Sequence, residues 1–452
     1  MRPGPRARNA TLAVVVLLCG LTLLAAFFNK ARCSGAPFDG DGRSVVFDEL
    51  KDRDACYSDI QFLWLGRDVD NHVFPYIDGA ITDGGALVGG AVEYPVLSGT
   101  LMWIGALGAH NDAEFLLHSA LLLAPFALLI AWMLGRLAGR AAMLWSIGPP
   151  LILYAFHNWE LPVVAASVAA VFVVASWNRV SLRQRATAAA VLLGVGFCLK
   201  LYPGLFVLPL MAYVLTGGIG GREFPADFRR RYDVRGAIGV GLAAAGTAIA
   251  INLPFALAGF EGWRASFEFQ QQREADITTN SIWFWGVRHL FGTSGAAEAS
   301  FQHTVSVLSP VMVLGSFALA LWLGWRRYGV DGTYPWVAVS GSMLCGFLLF
   351  HKVHSPQYTL WLIPFFVLLT VPWGTVLWYL VADLAVGIGV FQYFWALQTA
   401  GAVEWTENIV QFGVWGRAAL LVYFFFMFLR AKPRGTPEPV PVESPGRELV
   451  AI

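Results

Sequence analysis

Residues Asn9–Phe28, NATLAVVVLLCGLTLLAAFF, decide the fold class of this protein. Their length matches the roughly 20 apolar residues that a helix needs to cross the hydrocarbon core of a bilayer. The run follows an arginine-rich segment, as in a signal peptide, but Asn29, Lys30 and Arg32 stand where a small-residue cleavage site is required. We therefore interpret Asn9–Phe28 as an uncleaved anchor helix.

The composition extends this interpretation to the whole chain. Hydrophobic residues make up 57% of the 452 residues and charged residues only 13%, about half the roughly 25% that is usual in soluble domains. The 33 Phe, 18 Trp and 13 Tyr beside five Cys argue against disorder and against a disulfide scaffold. A net charge of +1 without a basic stripe gives no reason to expect nucleic acid. The sequence predicts an all-α polytopic membrane protein.

Eleven further apolar runs bring the predicted number of membrane spans to twelve: 113–134, 141–156, 160–177, 186–199, 204–216, 236–258, 304–325, 336–350, 358–372, 375–397 and 412–430. Val96–Ala109 is a thirteenth candidate, and the positive-inside rule decides against it. With twelve spans, the arginine groups at 136–140, 179–185, 222–235 and 326–327 share one side. We therefore predict both termini in the cytoplasm and an interfacial helix at 96–109.

The predicted organisation is one transmembrane domain over residues 1–430 and a proline-rich, disordered cytoplasmic tail over 431–452. The first extracytoplasmic loop, residues 29–112, is unusually long, and its aromatic residues argue against disorder. It carries twelve acidic residues between Asp39 and Glu93, including three Asp-x-Asp pairs. Three such pairs in one acidic loop are close to chance, so they are only a weak signal for a divalent metal site. Cys33 and Cys56 lie in this loop and can form a disulfide.

The acidic loop contains two candidate catalytic or binding carboxylates. Asp59 opens an amphipathic run at the expected membrane surface, where it can act as a general base or simply cap a helix. Glu93, in Glu93-Tyr94-Pro95, directly precedes the interfacial helix. Its carboxylate can bind an acceptor with Tyr94, or it can favour the helix N-terminus electrostatically.

Cations lie in separate short turns at the same predicted face. His351, Lys352 and His354 form the sharpest group; three residues apart, the two histidines would share a face of a helix. We interpret this group as a phosphate site, with an interfacial aromatic belt as the alternative. Lys200 can add a second phosphate contact or snorkel to the interface. Arg264 and Arg273 are further candidates, whereas the intramembrane residues Asp383 and His118 are assigned structural roles.

Several of these segments together resemble a known family. Ser58-Asp59, Glu93-Tyr94-Pro95-Val96-Leu97, Lys200-Leu201-Tyr202-Pro203 and Lys352–Tyr358 look like motifs of glycosyltransferase family 87, the actinobacterial polyprenol-phosphate-mannose-dependent mannosyltransferases of the GT-C superfamily. Asn280-Ser281 is similar to part of that family's Asn-Gln-Ser motif. The resemblance implies a GT-C-type fold with about 12 transmembrane helices and a large first extracytoplasmic loop.

The resemblance also implies an activity: inverting transfer of mannose from decaprenyl-phosphate mannose to a glycolipid or glycan acceptor outside a bacterial plasma membrane. Asp59 would be the catalytic base, and Glu93 and Tyr94 would bind the acceptor. Lys200, His351, Lys352 and His354 would hold the donor phosphate, with no committed cofactor or metal. The open alternatives are an arabinofuranosyltransferase that uses the corresponding polyprenyl-phosphate donor, a lipid or sugar transporter, and a non-catalytic membrane scaffold.

Overall fold

A computed structural model describes residues 5–225 and 231–434 of the chain, and over these residues it is mostly helical, with almost no sheet. Two-residue strands β1 (Ala80–Ile81) and β2 (Leu87–Val88) form a small antiparallel hairpin in the first loop. The helices are α1 (Pro5–Ala31), α2 (Phe47–Arg53), α3 (Asp59–Phe62), α4 (Val96–Ala106), α5 (Asp112–Ala138), α6 (Met143–Ile147), α7 (Pro149–Tyr154), α8 (Glu160–Ser176), α9 (Leu182–Leu199), α10 (Val207–Leu215), α11 (Val234–Ala258), α12 (Phe260–Gln272), α13 (Gly295–Asp331), α14 (Trp336–Phe350), α15 (Thr359–Leu368), α16 (Trp373–Thr399) and α17 (Val403–Arg430).

The described residues contain eight helical segments that are long and apolar enough to cross a membrane: Arg8–Ala31, Asp112–Ile147, Leu182–Leu199, Tyr202–Gly221, Val234–Ala258, Gly295–Asp331, Trp373–Thr399 and Val403–Arg430. Each of them contains one of the twelve apolar runs predicted from the sequence. The prediction of an all-α membrane protein is therefore confirmed.

The other four predicted spans behave differently. Three of them lie on helical segments of 10–17 residues, namely Glu160–Ser176, Trp336–Phe350 and Pro356–Leu368. The run 141–156 is not one continuous helix but two short ones, α6 and α7. Gly148 is extended and separates α6 from α7, because a residue before proline disfavours helical backbone and Pro149 and Pro150 donate no backbone hydrogen bond.

The segment predicted to lie in the interface forms α4, which has 11 residues. At 1.5 Å per residue such a helix is about 16 Å long, roughly half the thickness of the hydrocarbon core. Helix α4 begins after Pro95, whose extended backbone serves as the N-cap. The length of α4 agrees with an interfacial position.

The arginine-rich segments contact neighbouring segments of the chain, away from the first loop. The sequence predicted that they share one side, and residues 226–230 of the third group lie outside the described residues. The contacts are Arg8 with the Arg136 carbonyl (3.0 Å), Arg183 with Asp233 (2.7 Å), Gly220 N–H with Thr333 Oγ1 (2.8 Å) and Arg327 with the Leu429 carbonyl. The basic groups thus gather at one end of the helices.

The first loop is folded at the opposite end. A disulfide joins Cys33, just beyond α1, to Cys56. The Asp112 carboxylate, at the start of α5, accepts hydrogen bonds from the Ser44 backbone and hydroxyl. These links hold the ends of the loop against the helices that flank it.

The C-terminal end of the described chain is also fixed. Thr370 N–H donates to the Lys432 carbonyl (2.9 Å), and Arg434 N–H donates to the Leu368 carbonyl (2.7 Å). The first residues of the predicted tail therefore pair with the connection between α15 and α16. Residues 435–452 of that tail lie outside the described residues.

Candidate active site

A cavity of about 950 Å³ lies at the end of the helices where the first loop folds. Its walls come from the first loop, the turns at 157–158 and 200–202, α12 with the segment that follows it, the turn 351–358, and α16. Among the candidate site residues predicted from the sequence, six line it: Asp59, Glu93, Tyr94, Lys200, Arg273 and His351. Side chains from loops far apart in the sequence therefore converge on one space.

Asp59 does not cap helix α3. The cap is Ser58, whose hydroxyl oxygen accepts a hydrogen bond from the Ile60 N–H (3.2 Å). The Asp59 carboxylate instead accepts hydrogen bonds from Tyr57 Oη on Oδ1 (2.9 Å) and from Asn158 Nδ2 on Oδ2 (2.7 Å). Its side chain keeps 21% of its surface exposed toward the cavity. The alternative in which Asp59 is merely a helix cap is therefore wrong.

The electrostatic surroundings favour Asp59 as a proton acceptor. Burial raises the pKa of Asp59, and the hydrogen bonds from Tyr57 and Asn158 offset part of this effect. His157 Nε2 lies 4.0 Å from Oδ2, but burial lowers the pKa of His157 well below its usual value, so the ring is neutral. No Lys or Arg forms an ion pair with Asp59 in the described ranges.

Glu93 is paired rather than free. Arg67 Nε and Nη2 donate to its two carboxylate oxygens at 2.7 and 3.2 Å, a bidentate arrangement on the cavity wall. Tyr94 Oη accepts a hydrogen bond from Asn158 Nδ2 (2.9 Å), the amide that also holds Asp59. Tyr94 is thus connected to the base candidate through one side chain.

Lys200 is enclosed by a carboxylate and three aromatic rings. Its ammonium donates to Glu160, which is fully buried and also accepts from Trp361 Nε1 (2.6 Å). The ammonium lies 5.6 Å from the Tyr94 ring, 5.1 Å from the Tyr358 ring and 5.4 Å from the Trp361 ring. Burial lowers the pKa of Lys200, but the Glu160 carboxylate outweighs this and raises it, so the lysine stays charged.

The turn 351–358 separates the three residues that were predicted to act together. It is irregular from His351 to Ser355, because α14 ends at Phe350 and a short 3₁₀ turn starts at Pro356. The expectation that both histidines share a helix face is therefore wrong. His351 lines the cavity, and burial lowers its pKa to about 4. His354 is buried away from the lining residues, beside Arg417.

Lys352 does not line the cavity but lies at its edge, where its ammonium donates to the Gln271 carbonyl (3.2 Å). Burial and the nearby Arg273 guanidinium lower the pKa of Lys352. Arg273 follows α12 and does line the cavity, without an ion-pair partner among the described residues. Arg264, the other candidate on this segment, pairs with Glu268 and is not a lining residue.

Most of the charged side chains that line the cavity form ion pairs, and two of them do not. Arg67 pairs with Glu93, Lys200 with Glu160, and Lys51 with Asp48 and Asp52. In the part of the chain that the structure describes, Asp59 remains as a carboxylate and Arg273 as a cation without an oppositely charged Asp, Glu, Lys or Arg in contact. An anionic ligand can bind beside a carboxylate that is free to accept a proton.

The partners in this site that were not predicted from the sequence include Asn158, Glu160 and Arg67. The first two lie in His157-Asn158-Trp159-Glu160, a polar turn between two apolar runs. Glu160 gave a usable signal, because it is an ionisable residue at the start of an apolar run, and ionisable residues in membrane helices are candidates for a functional site. Arg67 carried no comparable signal, since it is one of several basic residues in a charged loop.

The intramembrane carboxylate Asp383 belongs to a buried network beneath the cavity. Its carboxylate accepts hydrogen bonds from Tyr154 Oη (3.1 Å) and the Thr359 hydroxyl, and lies 3.6 Å from Arg417 Nη1. Arg417 Nη2 donates to the carbonyls of Asn280 (3.3 Å) and His354 (3.4 Å). The pair therefore connects α16 and α17 to two loops of the cavity wall.

Comparison of the sequence with protein-family models gives no match, and comparison with curated proteins gives none either. The resemblance to glycosyltransferase family 87 therefore remains a prediction that rests on short motifs.

Proposed function

We propose that this protein is a membrane glycosyltransferase with a GT-C-type fold, similar to the family 87 mannosyltransferases. It transfers a sugar, expected to be mannose, from a polyprenyl-phosphate donor to a hydroxyl of a glycolipid or glycan acceptor. Asp59 is the general base of this reaction. The observation that carries the proposal is that Asp59 and Arg273, both without an Asp, Glu, Lys or Arg partner of opposite charge among the described residues, line one cavity.

The properties of Asp59 suit a base. Tyr57 and Asn158 fix both carboxylate oxygens by hydrogen bonds, so the side chain is held in one orientation. A raised pKa strengthens the carboxylate as a proton acceptor. A positioned base of this kind typically contributes about 10²–10⁴-fold to the rate.

The cations suit a phosphate. Arg273 can form charge-assisted hydrogen bonds to a phosphodiester, and Lys352 adds a second positive charge at the same edge. Lys200 remains charged, but the Glu160 carboxylate beside it weakens its attraction for a bound phosphate. We therefore propose Arg273 as the main donor-phosphate contact, supported by Lys352 and Lys200.

The cavity size and lining agree with a sugar phosphate. Its volume of about 950 Å³ lies within the range of roughly 300–1,000 Å³ typical of small-molecule sites. One wall is apolar and includes Val390, Phe391 and Phe394 of α16. The apolar wall beside the polar and charged lining residues suits a ligand with a sugar headgroup and a lipid tail.

The proposed step is a single displacement. The acceptor oxygen attacks the anomeric carbon of the donor sugar while its proton passes to the Asp59 carboxylate. The bond between the anomeric carbon and the phosphate oxygen breaks, and its electron pair leaves with the polyprenyl phosphate. Because the new bond forms opposite the departing one, the anomeric configuration inverts. The phosphate leaving group needs no general acid at neutral pH.

We place the cavity on the extracytoplasmic side. The arginine-rich loops gather at the other end of the helices, and cytoplasmic loops carry the excess of Lys and Arg in bacterial membrane proteins. The acidic first loop then faces outward, where lipid-linked rather than nucleotide-linked sugars serve as donors.

Purified protein in lipid vesicles tests the activity directly. We expect transfer of radiolabelled mannose from polyprenyl-phosphate mannose to a mannosylated lipid acceptor, and no transfer from a nucleotide sugar. Transfer from polyprenyl-phosphate arabinofuranose instead would keep the reaction class and change the sugar. Failure to bind or use any polyprenyl-phosphate sugar would contradict the proposal.

A further inference from the structure

A buried lysine lies behind Asp59. Lys30 is in the last turn of α1 and is only 2% exposed, although a lysine at the end of an apolar helix commonly extends its ammonium to water. Its ammonium instead donates to the Tyr57 carbonyl (2.7 Å) and lies 3.4 Å from His157 Nδ1. It forms no ion pair within residues 5–225 and 231–434.

A buried cation without a paired carboxylate destabilises a protein unless an anion lies near enough to compensate. The neighbouring anion is Asp59, on the far side of the His157 ring: Nδ1 of this ring faces Lys30, and Nε2 lies 4.0 Å from Asp59 Oδ2. An ammonium can only donate, so Nδ1 acts as the acceptor and the ring proton is on Nε2, toward Asp59. The imidazole thus separates the two charges.

We propose that Lys30 is a positioning residue for Asp59: it fixes the tautomer of His157 and keeps the neighbouring carboxylate ionised. The disulfide between Cys33 and Cys56 supports this arrangement, because it ties the end of α1 to the segment that leads into Asp59. Lys30 touches neither donor nor acceptor in this proposal. Its catalytic consequence rests on the proposed function, whereas its electrostatic effect on Asp59 does not.

Other groups also act on the charge of Asp59. Positive charges come from α1, from the end of α9 and from the segment after α12, and the opposing or neutral groups come from the first loop and the turn at 157–160. These groups are Lys30, Lys200, Arg273, Tyr57, Glu93, Tyr94, His157, Asn158 and Glu160. The charges of Lys200 and Arg273 also favour the ionised form of Asp59. Lys30 differs from them in its position, because it contacts His157, whose other ring nitrogen lies 4.0 Å from the Asp59 carboxylate.

Infrared difference spectroscopy of the full chain in lipid nanodiscs tests this role without any substrate. The carbonyl band of protonated Asp59 is identified by its loss in Asp59→Asn, and its growth on acidification gives the titration midpoint. Lys30→Met should raise that midpoint by about one pH unit, a tenfold increase in proton affinity. Lys51→Met is the matched control, since Lys51 also lines the cavity but pairs with Asp48; its midpoint should not change.

An unchanged midpoint in a folded Lys30→Met protein would overturn the proposal. If this variant does not fold, Lys30→Gln replaces it, because glutamine can still donate to the Tyr57 carbonyl but carries no charge; the same upward shift is expected, and its absence is equally decisive. A shifted midpoint together with normal glycosyl transfer by Asp59→Asn would retain the role of Lys30 and refute the proposed base. The two proposals therefore fail separately.

Discussion

The ion pair between Asp383 and Arg417 offers a quantitative test of the packing beneath the cavity. Both side chains are fully buried, and Arg417 is further held by the carbonyls of Asn280 and His354. Removing one partner of such a pair leaves an uncompensated buried charge and typically costs about 3–5 kcal/mol. We therefore expect Asp383→Leu and Arg417→Met each to lower the free energy of unfolding by about that amount.

The double variant separates charge pairing from simple loss of contacts. With both charges replaced by apolar side chains no charge is stranded, so its loss should be at least about 3 kcal/mol smaller than the sum of the single losses. Reversible unfolding in mixed micelles, followed by tryptophan fluorescence, measures all four proteins. Asp331→Leu is the control, because the Arg327–Asp331 pair is partly exposed and should contribute less than about 1 kcal/mol. Additive losses in the double variant would refute the coupling.

Three further predictions concern the cavity and its orientation. Arg273→Gln should weaken binding of a polyprenyl-phosphate sugar about 10- to 100-fold, as a charge-assisted contact is worth roughly 1.5–3 kcal/mol, while Arg264→Gln should bind normally in the same titration; equal affinities would move the phosphate elsewhere. The rate of glycosyl transfer should fall as the pH drops through the pKa of Asp59. Because that pKa is raised, the midpoint of the fall should lie above the pH of about 4 expected for an exposed Asp. A rate that does not change with pH down to 4 would contradict this prediction. In intact cells a membrane-impermeant thiol reagent should label Ser355→Cys and not Arg231→Cys, and equal labelling would remove the assigned sidedness.

Much of the fold could be predicted because hydrophobic length and charge asymmetry act along the chain. The eight long apolar helices and the grouping of the arginine loops follow from these two patterns. The break at Gly148-Pro149 could also have been predicted from the sequence, because proline interrupts a continuous helix. The prediction relied on the overall hydrophobicity of residues 141–156, which does not show this break.

The site was predictable only as a set of turns at one face. Asp59 was predicted because it opens an amphipathic run at the expected membrane surface, and Lys200 because it lies between two apolar runs. The partners of both residues depend on three-dimensional contacts. Lys200 with Glu160 is an example, since no periodicity connects two residues forty positions apart. The direction of His354 could not be inferred either, because the turn that carries it is not helical.

The most direct test of the central claim is glycosyl transfer by Asp59→Asn, measured together with donor binding. Asparagine keeps the size of the side chain and one carbonyl oxygen but cannot accept a proton at neutral pH. We predict a folded protein that binds the polyprenyl-phosphate donor normally and turns over at least about a hundredfold more slowly. Near-normal transfer by Asp59→Asn would contradict the account and make Glu93 the next carboxylate to test.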